Sequence, residues 1–172
     1  MSFEIGDKVV YPNQGVCKIE GISERSIAGR QEQFFMLRIL SNESTVMIPL
    51  ANVENVGLRR LSDQSDLESL FDILQNSVNE PDPDWKNRYK DNLERMKTGC
   101  IFEVGRVLQD LYFLSFQKPL SFREKKMYDR ARQLVVSEIA TVREEELPEA
   151  EGCVDQMLDL AYKQFTPETP VG

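Results

Sequence analysis

The stretch from Thr45-Val-Met-Ile-Pro-Leu50, past Gly57, to Ser65-Asp-Leu-Glu-Ser-Leu-Phe-Asp-Ile-Leu74 changes its hydrophobic period part-way, and that change decides the fold. In 45–50, Val46, Ile48 and Leu50 alternate with Met47 and Pro49, the two-residue period of a strand. After Gly57 the period lengthens. Ser65-Asp-Leu-Glu68 has the spacing of a capping box, and Leu67, Leu70, Phe71 and Leu74 follow at helical intervals to about Asn76. A β module at 1–60 therefore precedes a helical module at 61–165, with a frayed tail at 166–172.

Toward the N-terminus the strand signals continue. Asp7-Lys-Val-Val-Tyr-Pro12 is closed by Pro12, Asn13-Gln14-Gly15 is turn chemistry, and Val16 to Ile19 opens the next strand. Gly21 and Ala28-Gly29 read as further turns. Phe34 to Leu40 sets Phe35, Leu37 and Ile39 against Phe34, Met36 and Arg38. Five short strands of this kind predict a small antiparallel barrel, SH3-like or Tudor-like. Pro49 cannot donate to a ladder, so its strand is an edge or ends there. An exposed edge can accept a partner's strand. Equally, the edge can be protected with Met47 in the core, and the pattern favours neither.

Toward the C-terminus, Asn79-Glu-Pro-Asp-Pro-Asp84 is a breaker with Asp84 as N-cap. A helix runs from Trp85 to about Thr98 and stops at Gly99, with Trp85, Tyr89, Leu93 and Met96 on one face. Residues 100–114 carry Ile101, Val104, Leu108, Leu111 and Tyr112 at helical spacing. Ser121-Phe-Arg-Glu124 is a second capping box, starting the longest helix, which turns Tyr128, Ala131, Val135, Ile139 and Val142 inward and which Pro148 breaks. A last helix at about 149–165 follows. The fold class is α+β: a small barrel, then a compact bundle of about five helices.

The composition points away from catalysis. There is no histidine among the 172 residues, which removes the commonest general base and metal ligand. No GxGxxG or GxxxxGK[ST] cradle occurs. Cys17, Cys100 and Cys153 are far apart and read as small buried hydrophobes, so neither a metal nor any other cofactor is expected. The N-terminus lacks a basic and apolar leader, and no apolar run nears the ~20 residues of a membrane span. The expectation is a cytoplasmic, monomeric protein that is not an enzyme.

The net charge of −8 hides a segregation. Residues 61–84 hold seven acids and no base, 85–132 hold twelve basic against six acidic residues, and 141–172 hold two against eight. With screening over ~8 Å in physiological salt, a local patch outweighs the molecular total. The basic middle is either a solvated helical face or an anion-binding face for nucleic-acid phosphates. Trp85, the one tryptophan, is likewise either core, by its register with Tyr89, or an exposed ring beside Lys86, Arg88 and Lys90 that wedges against bases.

The sequence resembles the CarD/CdnL family of bacterial RNA-polymerase-binding transcription regulators, in its short CdnL form. The likeness rests on Gly6-Asp-Lys-Val-Val-Tyr-Pro12, Phe35-Met-Leu-Arg-Ile39, Val46-Met-Ile-Pro49, Trp85-Lys-Asn-Arg-Tyr-Lys90, Lys97-Thr-Gly99, Val107-Leu-Gln-Asp-Leu-Tyr112 and Leu120-Ser-Phe-Arg-Glu-Lys-Lys-Met127. It implies a Tudor-like domain that docks on the polymerase β subunit through a sheet edge, with Arg25, Met47, Ile48 and Pro49 at the contact positions. It further implies a helical domain that touches promoter DNA through Trp85, Arg88, Lys90 and Lys125, in the minor groove and on phosphates; Lys86 and Lys126, in the same basic runs, complete the expected DNA-contacting set. Such contacts stabilise the open promoter complex and associate the protein with the nucleoid through polymerase. Met47 and Asn87 stand where some members carry a basic residue. The other reading is an adaptor on polymerase with no direct DNA contact. The transcription-repair coupling translocase carries a similar β module, but no ATPase motif occurs in this sequence.

Overall fold

A computed structural model describes residues 2–77 and 83–165, and the chain divides into two compact units, Met1–Leu61 and Ser62–Gly172. The expected tail at 166–172, and the expected breaker apart from Pro83 and Asp84, lie outside the described residues.

The first unit is one antiparallel sheet of β1 (Lys8–Tyr11), β2 (Gly15–Ile27), β3 (Arg30–Ile39), β4 (Thr45–Pro49) and β5 (Arg59–Arg60), in the order β4-β3-β2-β1-β5. The return of β5 to the side of β1 is the strand order of a small SH3- or Tudor-like module. Val9, Cys17, Ile19, Phe35, Leu37, Ile39 and Ile48 turn to one face and form its core with Val53 and Leu58. Two successive residues of positive φ, Ala28 at 53° and Gly29 at 80°, make the tight β2–β3 turn. Gly21 is a correction. It lies inside β2, where the register with β3 shifts between Ile19 and Gly21. A bulge, not a turn, explains the glycine. Glu20, at the bulge, reaches Arg38 at 2.9 Å. From Glu24 to Gln33 the hairpin is exposed throughout, so it runs on beyond the core. Phe34 is buried although it points away from Phe35.

The second unit holds α1 (Gln64–Asn76), α2 (Trp85–Lys97), α3 (Ile101–Gln117), α4 (Phe122–Arg143) and α5 (Leu147–Phe165). Leu70, Leu74, Leu108, Leu111, Val135, Ile139 and Leu158 are at its dry centre. Burial of such side chains, at roughly 25 cal/mol per Å², drives the assembly. Gly105 lets α3 approach α1 closely, because a Cβ there would lie 2.8 Å from Leu70 Cδ1.

Two helix ends differ from expectation. The capping box of α1 is Asp63 with Asp66, not Ser65 with Glu68. Asp63 Oδ1 accepts from the Asp66 amide at 2.8 Å, and Asp66 Oδ2 accepts from the Asp63 amide at 3.0 Å. The earlier start follows from Ser62, whose amide and hydroxyl both donate to the buried Glu138 carboxylate on α4 and so fix where the chain enters the helix. Nor does Pro148 end α4. Glu144 takes a left-handed conformation at φ 53°, and the Glu145 amide donates to Ala140 O at 3.0 Å. This is a C-terminal αL stop. Pro148 sits in the first turn of α5, where its missing N–H costs nothing.

Candidate nucleic-acid interface

Helix α2 buries polar as well as apolar side chains. Its buried residues are Arg88, Asn92 and Met96. The expected apolar face is split: Met96 is buried and Tyr89 half-buried against the core, whereas Trp85 is 49% and Leu93 36% exposed. Of the two readings of Trp85, the exposed one is what the fold contains. Asp84 caps the helix, accepting from the Lys86 amide at 3.1 Å. Trp85, Lys86 and Lys90 therefore stand on the solvent side of the first two turns.

Arg88, one of the expected DNA-contacting residues, is placed differently from the lysines. It is 3% exposed, and its Nε donates to Glu124 Oε2 at 3.0 Å. Its guanidinium is thus engaged inside the helical unit, unlike the exposed lysines of the same helix. Glu124 also takes part in the start of α4, where Ser121 is the N-cap and its Oγ accepts from the Glu124 amide at 3.2 Å; the reciprocal bond of the expected capping box, from the Ser121 backbone amide to the Glu124 side chain, is replaced by one from the Ser121 hydroxyl. One turn further out, the Arg123 guanidinium lies 6.0 Å from the Tyr89 ring centroid. These contacts set the first turns of α2 and α4 side by side.

The result is a surface drawn from two helix N-termini. Phe122 is 71% exposed, with Lys126 Nζ 4.5 Å from its ring centroid. Lys86 and Lys90 on α2, and Arg123, Lys125 and Lys126 on α4, lie within the same turns of sequence as the two rings and are all exposed. The positive ends of both helix dipoles add to those charges. Sequence reasoning missed Phe122 and gave Arg123 no role. The available signal was an aromatic at the first helical position after Ser121, in a run of Arg123, Lys125 and Lys126.

The far end of α2 is held by charge as well. Arg95 reaches Asp110 on α3 at 3.2 Å and Glu103 at 3.6 Å, and Glu103 also takes Arg106 at 2.8 Å. Burial pushes the Asp110 carboxyl up to about 6, outweighing the pull of Arg95, Arg106 and Arg88. Cys17, in the barrel core, is pushed up to about 11 by burial and is an inert thiol, whereas Cys100 and Cys153 are only half-buried. Among the described residues no cluster of metal-ligating side chains occurs.

In the first unit, the register places three of the four expected polymerase-binding residues together. Pro49 pairs with Phe34 and Met47 with Met36 on the edge strand β4, while Arg25 pairs with Glu32 two rows beyond Phe34. Residues two apart share a face, so Arg25, Met47 and Pro49 all point to the side opposite the core. Arg25 is exposed, and Met47 and Pro49 are partly so. Ile48, the fourth, lies on the core face of the sheet. It is 2% exposed and packs in the core, so what it can offer a partner is edge backbone.

Both units match families of known proteins. Residues 3–62 match the CarD-like/TRCF RID domain and residues 69–155 the CarD C-terminal domain. YdeB of Bacillus subtilis is 34% identical over 141 residues, 82% of this chain and 92% of that protein. Among solved structures, the chain is similar to the 72-residue N-terminal domain of Myxococcus xanthus CarD at 37% identity, covering 34% of this chain and 79% of that one, with a TM-score of 0.30. It is also similar to CdnLNt from the same organism at 48% identity, covering 35% and 84%, with a TM-score of 0.31. The chain belongs to the CarD family. It is a CarD-like transcription factor whose N-terminal unit is the RNA-polymerase-interacting domain. No helix among the described residues is long and apolar enough to cross a membrane.

Proposed function

We propose that the chain grips the β subunit of RNA polymerase with the edge of its sheet and braces promoter DNA with the paired ends of α2 and α4, stabilising the open complex. The observation that carries this is the exposure of Trp85 and Phe122, at 49% and 71%, on helix starts that also carry exposed lysines, with Lys126 Nζ 4.5 Å from the Phe122 ring. An apolar ring held in water among cations serves a partner that is anionic outside and aromatic inside.

On this reading polymerase supplies the affinity. Tethering raises the effective concentration of the helical unit near promoter DNA, so a patch of five cations suffices despite the net charge of −8. The lysines and Arg123 contact phosphates without reading sequence. Trp85 wedges into the minor groove at the upstream edge of the bubble, where stacking is already broken, and opposes closure. A bias of ~1–2 kcal/mol toward the open state raises its population roughly five- to thirty-fold where it is scarce.

Open-complex lifetime on promoter DNA, with wild-type protein and with Trp85→Ala, tests the proposal. The wild type lengthens the lifetime and the variant loses that effect while still binding polymerase. An equal lifetime with both proteins leaves an adaptor without DNA contact as the better description.

A further inference from the structure

We infer that the buried Arg88–Glu124 ion pair is a positioning device that sets the first turn of α2 against that of α4 and so holds Trp85 and Phe122 in one surface. The inference rests on the DNA-bracing role proposed above. Three observations carry it.

Arg88 is the only fully buried side chain in the first two turns of α2; Trp85, Lys86, Asn87, Lys90 and Asp91 are exposed and Tyr89 is half-buried. Tyr89 packs against the core but stays half-buried, so the ion pair is the more enclosed contact at this end of the helix. The next buried positions, Asn92 and Met96, lie one and two turns further on.

Both members of the pair are enclosed, at 3% and 4% side-chain exposure, and they meet at 3.0 Å. In such surroundings an ion pair tolerates little displacement, because a separated charge has no water to receive it. The guanidinium is planar, so its direction as well as its distance is fixed.

Glu124 also has a second engagement. Its Oε1 accepts from the Ser121 hydroxyl at 3.3 Å, and its amide donates to Ser121 Oγ. One carboxylate thus joins the start of α4 to α2. Phe122 lies between Ser121 and Glu124, and Trp85 one turn before Arg88. Each exposed ring is therefore within a turn of the same buried contact. Arg88 and Glu124 touch no solvent-side ligand and act through the residues they place.

Trp85 reports directly on this device, being the one tryptophan. In Glu124→Gln the side-chain amide can still accept from the Ser121 hydroxyl, but Arg88 loses its counter-charge. Fluorescence anisotropy and acrylamide quenching of Trp85 are measured in the free full-length variant, and open-complex lifetime in its polymerase complex. The expected result is lower anisotropy, stronger quenching and loss of the same multiple of lifetime as in Trp85→Ala, with no further loss in the double variant. Glu124→Asp, which keeps charge and capping capacity as Asp66 does in α1, recovers part of both signals. Wild-type anisotropy and lifetime in Glu124→Gln overturn the inference. Should that variant fail to fold, Arg88→Lys decides on the same readouts, since it keeps the charge and loses the planar fork. Wild-type values there also overturn it. A lifetime unaffected by Trp85→Ala removes the DNA role instead, and a looser Trp85 in Glu124→Gln then still supports the positioning.

Discussion

Arg95 on α2 donates to Asp110 on α3 at 3.2 Å, yet the Asp110 carboxyl holds its proton more tightly in the folded chain than an ordinary aspartate does. Burial disfavours its charge more than Arg95, Arg106 and Arg88 favour it. Arg95 is itself about one-third exposed and shared with Glu103, so it faces the buried Asp110 only in part.

A pH dependence follows, and its sign is opposite to that of a well-paired carboxylate. Asp110 titrates near 6 in the folded chain against 3.8 as its ordinary value. The folded state therefore holds this proton more tightly than the unfolded state. Its contribution to stability is full below about pH 4 and is lost as pH rises through 6, on the order of 2 to 3 kcal/mol in all. Asp110→Asn removes that dependence. Urea unfolding at pH 5 and pH 7.5 should show the variant gaining on the wild type at the higher pH. A constant difference between the two proteins across that range would refute the assignment.

How much of this was legible in the sequence depends on where each residue's partner lies. Strand alternation in Phe35, Leu37 and Ile39 is local, and it placed the barrel core correctly. The face of α2 was legible only in part: Met96 and Tyr89 pack inward as expected, but hydropathy ranks Trp85 and Leu93 above Arg88. Arg88 is buried only because Glu124 waits 36 residues away. The start of α1 failed for the same reason: Ser62 is held by Glu138, 76 residues on. Gly21 was read as a turn because a bulge and a turn ask for the same residue. Arg25 and the segment at 47–49 came from family likeness, and only the strand register shows that Arg25, Met47 and Pro49 share a face while Ile48 does not.

The β module separates fold from grip at adjacent positions. Ile48→Ala should cost about 2–5 kcal/mol, as for other buried aliphatic truncations. Met47→Glu and Arg25→Glu alter the solvent-side face and should leave the unfolding free energy within about 0.5 kcal/mol. Both should nevertheless abolish co-purification with the polymerase β subunit. Retained co-purification in both would move the grip to another face of the sheet.

Phe122 should act with Trp85. Phe122→Ala leaves the fold intact, since the ring is 71% exposed and makes its one ring contact with Lys126. Open-complex lifetime should fall in each single variant, and the two losses should not add in full, because the rings lie within one turn of a common contact. Fully additive losses, or none in Phe122→Ala, would indicate that the two rings meet the DNA separately or that Phe122 meets it not at all.

The last prediction contrasts two kinds of cation on the same pair of helices. Arg88→Ala breaks an enclosed ion pair and leaves Glu124 buried without its partner, which costs about 3–5 kcal/mol of stability. Lys86→Ala and Lys125→Ala remove exposed charges and should change stability by less than about 0.5 kcal/mol. Their effect belongs in the salt dependence of the polymerase–promoter complex. Each lysine that meets a phosphate releases about one counterion, so each alanine should lower the slope of log affinity against log salt by about one. Arg88→Ala, corrected for the fraction folded, should not change that slope by loss of its own charge. If Arg88→Ala were as stable as the wild type and lowered the slope like the lysines, Arg88 would belong to the DNA-facing set after all.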